Sequence, residues 1–131
     1  MKKLLFALAL LTIVLSVQAQ TTYYQCYQAW GYDREAEELF PSENTNFLIS
    51  LNGQTFTFKN EQQSVYFCTS TEKKYSKSDS RGKFEVLGMN ATDEEGKPCI
   101  FEMRVYQEVN ITVFAAVYRN LMIFWETERL D

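Results

Sequence analysis

The chain has 131 residues, 13 of them basic and 17 acidic, with 15% aromatic residues and no histidine. A formal charge of −4 leaves no basic excess to gain from counterion release, so a nucleic-acid partner is not expected. Without imidazole, Ser-His-Asp triads, His-activated cysteines and the common His-ligated catalytic zinc sites are excluded.

In chain order, Lys2 and Lys3 precede an apolar run from Leu4 to Val17, and Val17-Gln18-Ala19 stands before Gln20. A membrane-spanning helix needs about 20 apolar residues. This core is shorter and ends in a small-residue cleavage site, the pattern of a secretory signal peptide. The expected product is therefore exported, secreted or periplasmic, with residues 1–19 removed and residues 20–131 forming one soluble β-domain. It would hold 112 residues and, with Lys2 and Lys3 gone, a charge of −6. No later apolar run is long enough for a membrane span, and Cys26 lies too far beyond the apolar core to be an acylated terminus.

Thr21–Trp30 alternates poorly but favours a strand by composition, with Tyr23, Tyr24, Tyr27 and Trp30. Residues 33–40 form the one helical candidate, with Asp33 as N-cap, acidic residues after it and Pro41 beyond. Asn46–Lys59 reads as a hairpin centred on Asn52-Gly53, the preferred pair for a type I′ turn. That centring sets Phe47 opposite Phe58 and Ile49 opposite Phe56, with Leu48–Thr57 and Ser50–Thr55 on the other face. Strands are expected next at Ser64–Ser70 and Lys83–Met89, flanking the polar stretch Thr71–Gly82. Cys99–Tyr106 alternates cleanly, and Ile111–Tyr118 with Leu121–Glu128 form a hairpin around Arg119-Asn120. This last pair is apolar on both faces as far as Trp125, a pattern that requires cover on both sides, from the chain or from another molecule.

The expected fold is all-β: an antiparallel meander of about eight strands forming a small barrel or two-sheet sandwich, with one short helix near residues 33–40. In strand number it resembles the lipocalin-like barrels. Their Gly-x-Trp signature is absent, the order here being Ala29-Trp30-Gly31, and no family is assigned.

Three cysteines in an exported chain imply one disulfide and a spare thiol, or pairing between chains. In a meander, Cys68 and Cys99 stand two strand spacings apart, about 9.5 Å against a limit near 7 Å. Cys26 is the expected bridge member, with Cys99 or else Cys68 as partner. Each cysteine sits in a strand-like run, where a structural role outweighs a nucleophilic one. Zinc is not expected at cysteine gaps of 42 and 31 residues, and Asp93-Glu94-Glu95-Gly96 lacks the alternating oxygen ligands of a calcium loop. No metal, cofactor or catalytic residue is assigned. The carboxylate pairs Glu85–Glu102 and Glu126–Glu128 fall on an outward, solvated face, which makes a glycosidase the least favoured reading.

Two surfaces remain. Phe101, Met103, Phe114, Ile123 and Trp125 fall at inward positions and are the expected ligand-lining set, although aromatic residues at strand spacing most often form core. Lys73, Lys74, Lys77 and Arg81 belong to a basic tip on an acidic protein, either a solvated turn or a partner-binding loop. Asn90-Ala-Thr92 and Asn110-Ile-Thr112 match the glycosylation sequon and bear only on a eukaryotic host. The leading expectation is an exported, non-catalytic barrel holding a small apolar or sugar ligand. The alternative is a protein-interaction module, such as a protease inhibitor or assembly subunit, that meets another secreted protein or a second copy of itself. It would use the 71–83 loop or the C-terminal hairpin.

Overall fold

Strands that are apolar at every second position bury one face by packing sheet on sheet or by closing on themselves, and closure also removes the unpaired edges. This chain closes. The computed structural model describes residues 21–60 and 63–130, the side chains of 71–73 excepted. The expected signal peptide lies outside the described residues. Eight antiparallel strands follow one another: β1 (Thr21–Asp33), β2 (Glu38–Asn52), β3 (Thr55–Phe58), β4 (Ser64–Asp79), β5 (Gly82–Asp93), β6 (Pro98–Tyr106), β7 (Thr112–Val117) and β8 (Leu121–Leu130). Each pairs with the next, and β8 returns to β1 to complete a closed barrel.

Alternation sends two sets of residues to opposite faces. Inside, Phe56, Phe58, Phe101 and Phe114 are wholly buried with Tyr24, Tyr66 and Trp125 in one continuous cluster. Outside, Phe84 and Val86 of β5 pack with Tyr106 and Val113, joined by Tyr75, Trp30 and Phe124. The doubly apolar C-terminal hairpin is thus covered on both faces within the chain: Val113 and Phe114, though neighbours in sequence, are both buried.

Four local expectations need correction. No helix forms among the described residues. Asp33 does accept hydrogen bonds from the Glu35 and Ala36 N–H groups at 3.0 and 3.1 Å, as an N-cap would, but Glu37 adopts φ 53° and turns the chain back into β2. The first hairpin is offset: Ile49 faces Phe58 and Leu51 faces Phe56, with Asn52 opposite Thr55. Gly53-Gln54 are the turn residues, and only Gly53 has positive φ, 62°, as a type II′ turn requires. The offset moves each partner by two residues, so every side chain keeps its expected face. The polar stretch 71–82 is no loop, because β4 and β5 run on to Asp79 and Gly82 around a two-residue turn at Ser80-Arg81.

The cysteines are the fourth. Cys26, Cys68 and Cys99 are all free and buried, so the expected Cys26–Cys99 bridge is absent. β1 and β6 are separated by β7 and β8, and the aromatic cluster fills the space between their inner faces. Cys68 and Cys99 flank Ala91 from either side of β5, the two-strand separation that the meander implies. The poor alternation of Thr21–Trp30 has its cause here too. A bulge between Cys26 and Gln28 shifts the phase, so Tyr24 and Cys26 are buried before it while Ala29 packs on the inner cluster after it.

Candidate binding site at the mouth of the barrel

The inward aromatic rings leave no open lumen at mid-barrel. Phe58 lies 4.4 Å from Trp125 and Phe56 lies 4.6 Å from Phe101, ring centroid to centroid. Of the ligand-lining set expected from sequence, all five residues converge on this cluster, but they divide by height. Phe101 and Phe114, 5.9 Å apart and stacked, are packing residues with no exposed surface. Met103 faces a small cavity at the lower end, while Ile123 and Trp125 reach the upper mouth.

Three adjoining concavities ring that mouth. One of about 620 Å³ lies over Trp125 and Phe47, between Ala29, Thr45, Lys59 and Asn60. A second, about 610 Å³, is bounded by Tyr66, Asp93, Tyr118 and Ile123. The third, about 300 Å³, sits against Trp30, Gly31 and Phe40. Ser64 borders the first two, Ile123 the second and third, and Ala29 the third and first. Together they form an aromatic-floored depression with a polar rim.

One wall of the rim is a connected polar network. The Tyr118 hydroxyl donates to Asp93 Oδ2 at 2.8 Å, and Asp93 Oδ1 accepts from the Glu95 and Lys97 backbone N–H groups at 2.9 Å each. Partial burial works against the Asp93 carboxylate, yet these donors together hold its pKa below the ordinary value. Tyr66 stands beside Tyr118 on the same wall. Burial pushes Tyr66 up to about 12 and raises Tyr118 further, the latter helped by its Tyr66 and Asp93 neighbours. Cys99, beneath Tyr118, is pushed up to about 11, chiefly by burial. On the opposite wall, Thr45 Oγ1 meets the Cys26 thiol at 3.2 Å, and Asn60 Oδ1 is buried with no hydrogen-bond partner among the described residues. The rim therefore offers phenolic hydroxyls, the carboxylates of Glu43, Asp93, Glu94 and Glu95, the cations of Lys59, Lys97 and Arg119, and amide groups.

The basic tip divides as well. Lys74 and Lys77 are exposed, with Lys77 Nζ 5.3 Å from the Tyr75 ring centroid, and Lys73 pairs with Gly88 along β4. Arg81 is turned inward instead. It forms an ion pair with Glu126 on the outer face of β8, donates to the Tyr106 hydroxyl at 2.9 Å, and lies over that ring at 4.6 Å. The hydroxyl in turn donates to Asp79. Glu126 points outward, as alternation implies, but is only 8% exposed beneath this tip. Glu102 is likewise paired, with Arg104 at 2.9 Å. Sequence reasoning missed the Tyr66–Tyr118–Asp93 network, since nothing in the spacing of Tyr66 on β4, Asp93 at the end of β5 and Tyr118 just after β7 marks them as neighbours.

Comparison with models of known protein families, with curated proteins and with solved structures returns no match.

Proposed function

We propose that this chain is an exported, non-catalytic binding protein that takes a small ligand at the mouth of its barrel. The observation that carries this reading is the pair of concavities of about 620 and 610 Å³, sharing Ser64 and floored by Trp125, Phe47 and Tyr66. That size, with an aromatic floor beneath a charged and polar rim, suits a small ligand that carries polar groups of its own. The packed interior favours a ligand seated across the mouth over one enclosed in the lumen. The Tyr66–Tyr118–Asp93 wall would orient its polar groups, and an apolar or sugar ring face would rest near Trp125.

Two further points support binding over catalysis. Burial moves the phenols and thiols at this end away from neutrality, and Asp93 is moved below its ordinary range, so proton transfer near pH 7 has no matched group among them. Export rests on the leader pattern of residues 1–19. A protein partner is the second reading, favoured by Leu39 and Phe40, which are 69% and 44% exposed on β2 beside the mouth.

Native mass spectrometry of protein purified from its own host tests the proposal. A retained small molecule, displaced or weakened in Trp125→Phe or Tyr118→Phe, is the expected result. A dimer or co-purifying protein with an empty mouth overturns it in favour of the second reading, and a bare monomer overturns both.

A further inference from the structure

The inner faces of β4, β5 and β6 are rich in sulfur: Cys68, Met89, Cys99 and Met103 all belong to or pack on the inner cluster. Three of these, Cys68, Met89 and Met103, line a single cavity of about 180 Å³ at the end of the barrel opposite the mouth, beside the turn at Gly53. Register explains the meeting. Ala91 faces Cys68, Met89 faces Phe101 and Leu87 faces Met103, so Met89 is the diagonal neighbour of Met103 and lies two positions from the partner of Cys68, across the bulge between Cys68 and Ser70. Diagonal neighbours stand about 7–8 Å apart at the backbone, within reach of long side chains. Among the described residues the remaining walls are apolar or neutral, with Leu51, Phe56 and Leu87 among them and no carboxylate or amine.

The three thiols are not equivalent. Cys26 has Thr45 Oγ1 and the Gln28 carbonyl as partners, and Cys99 lies beside Tyr118. Cys68, 6% exposed, has no hydrogen-bond partner among the described residues, and its side chain borders the cavity.

We propose that this cavity is a site for one soft monovalent cation of the Cu(I) type, held by the Cys68 thiolate and the Met89 and Met103 thioethers. Thiolate and thioether donors select soft ions, and methionine, unbranched with three rotatable bonds, can close on one. Charge decides the valence. One thiolate with a monovalent ion is neutral and belongs in an apolar cavity, whereas a divalent ion would leave a buried positive charge with nothing to balance it. Binding forms a metal–sulfur bond at Cys68 as its S–H proton passes to solvent, and no oxidation state changes.

The test is anaerobic titration with Cu(I) against a chromogenic chelator, with Ag(I) as an air-stable probe and native mass spectrometry for stoichiometry. One equivalent is expected in the unaltered protein and in Cys26→Ser/Cys99→Ser, and none in Cys68→Ser. Met89→Leu/Met103→Leu conserves volume and packing, and is expected to weaken binding roughly tenfold or more. Zn(II) is expected to leave the site empty. Uptake that survives Cys68→Ser, affinity unchanged by the paired Met→Leu substitution, equal uptake of Zn(II), or no uptake at all would each overturn the proposal. The paired Met→Leu variant keeps the test decisive should Cys68→Ser fail to fold, with circular dichroism reporting the fold.

Discussion

Phe58 is the residue on which the packed interior can be tested most directly. Its ring is wholly buried and has five aromatic neighbours: Trp125 at 4.4 Å, Tyr66 at 5.4 Å, Phe101 at 6.1 Å, and Phe47 and Phe114 at 6.4 Å each. Phe58→Ala removes that ring from a space walled by paired strands, which relax little around a void. Buried Phe→Ala changes cost about 3–5 kcal/mol, and the upper half of that range, about 4–5, is expected here. At roughly 4 °C per kcal/mol for a domain of this size, the melting temperature should fall by roughly 15–20 °C. Phe67→Ala is the matched control: the same residue type on the adjoining strand, 46% exposed, with an expected cost of about 0.5 kcal/mol or less. Urea unfolding followed by tryptophan fluorescence reads both, with Phe58→Leu as the gentler variant should Phe58→Ala unfold outright. If Phe58→Ala and Phe67→Ala differ by less than about 1 kcal/mol, the interior is not the close-packed core described above. A ligand could then enter the lumen itself.

Four shorter predictions follow from the same geometry. Asp93 has its folded pKa below the ordinary 3.8, so its contribution to stability is present above that value and is lost as pH falls through the lower folded value. Asp93→Asn should therefore flatten the acid limb of a urea-midpoint profile below about pH 4, and an unchanged limb would remove Asp93 from that role. At the alkaline end the sign reverses: Cys68 and Cys99 at about 11 against 9.0, and Tyr66 at about 12 against 10.0, are deprotonated first in the unfolded chain. Stability should decline from about pH 9 upward, less steeply in Tyr66→Phe, as alkaline denaturation curves would record. All three thiols should resist a water-soluble thiol reagent at pH 7 in the native protein and react completely in denaturant; a fast-reacting native thiol contradicts the burial described. Gly53→Ala, at φ 62° with nothing within 4 Å of the added Cβ, should cost about 1 kcal/mol through backbone strain alone, and Gly53→Asn distinctly less, by thermal melts.

The features legible in the sequence were those that alternation encodes. The faces of Phe47, Ile49, Phe56 and Phe58 followed from period two and survived an error in register, because a two-residue offset preserves faces. The bulge after Cys26 left its mark only as broken alternation in Thr21–Trp30. Polar strands leave no such mark. Ser76, Lys77 and Ser78 pair with Glu85, Phe84 and Lys83 through backbone groups that any sequence possesses, so the reach of β4 stayed hidden. The acidic run after Asp33 resembled a helix start because the capping bonds are real; the reversal at Glu37 is a single dihedral that composition does not announce. At the site, the inward phase of Trp125 and Ile123 was readable. The wall formed by Tyr66, Asp93 and Tyr118 was not: Tyr66 and Asp93 are direct partners across β4 and β5, but two bulges in β4 set that register, and spacing does not announce them.

Closure itself carries a consequence for how the molecule comes into being. The ladder from Tyr23↔Leu130 to Asp33↔Leu121 joins segments roughly a hundred positions apart. While the chain emerges from the ribosome, β1 has no partner on that side until residues 121–130 follow, and the growing intermediate carries two bare edges. A pause that withholds β8 leaves the inner faces of β1 and β7 uncovered together, with Tyr24 and Phe114 available to the wrong chain. The same residues that make the finished barrel solid are exposed in its unfinished form, so the arrival of β8 both completes the ladder and covers them.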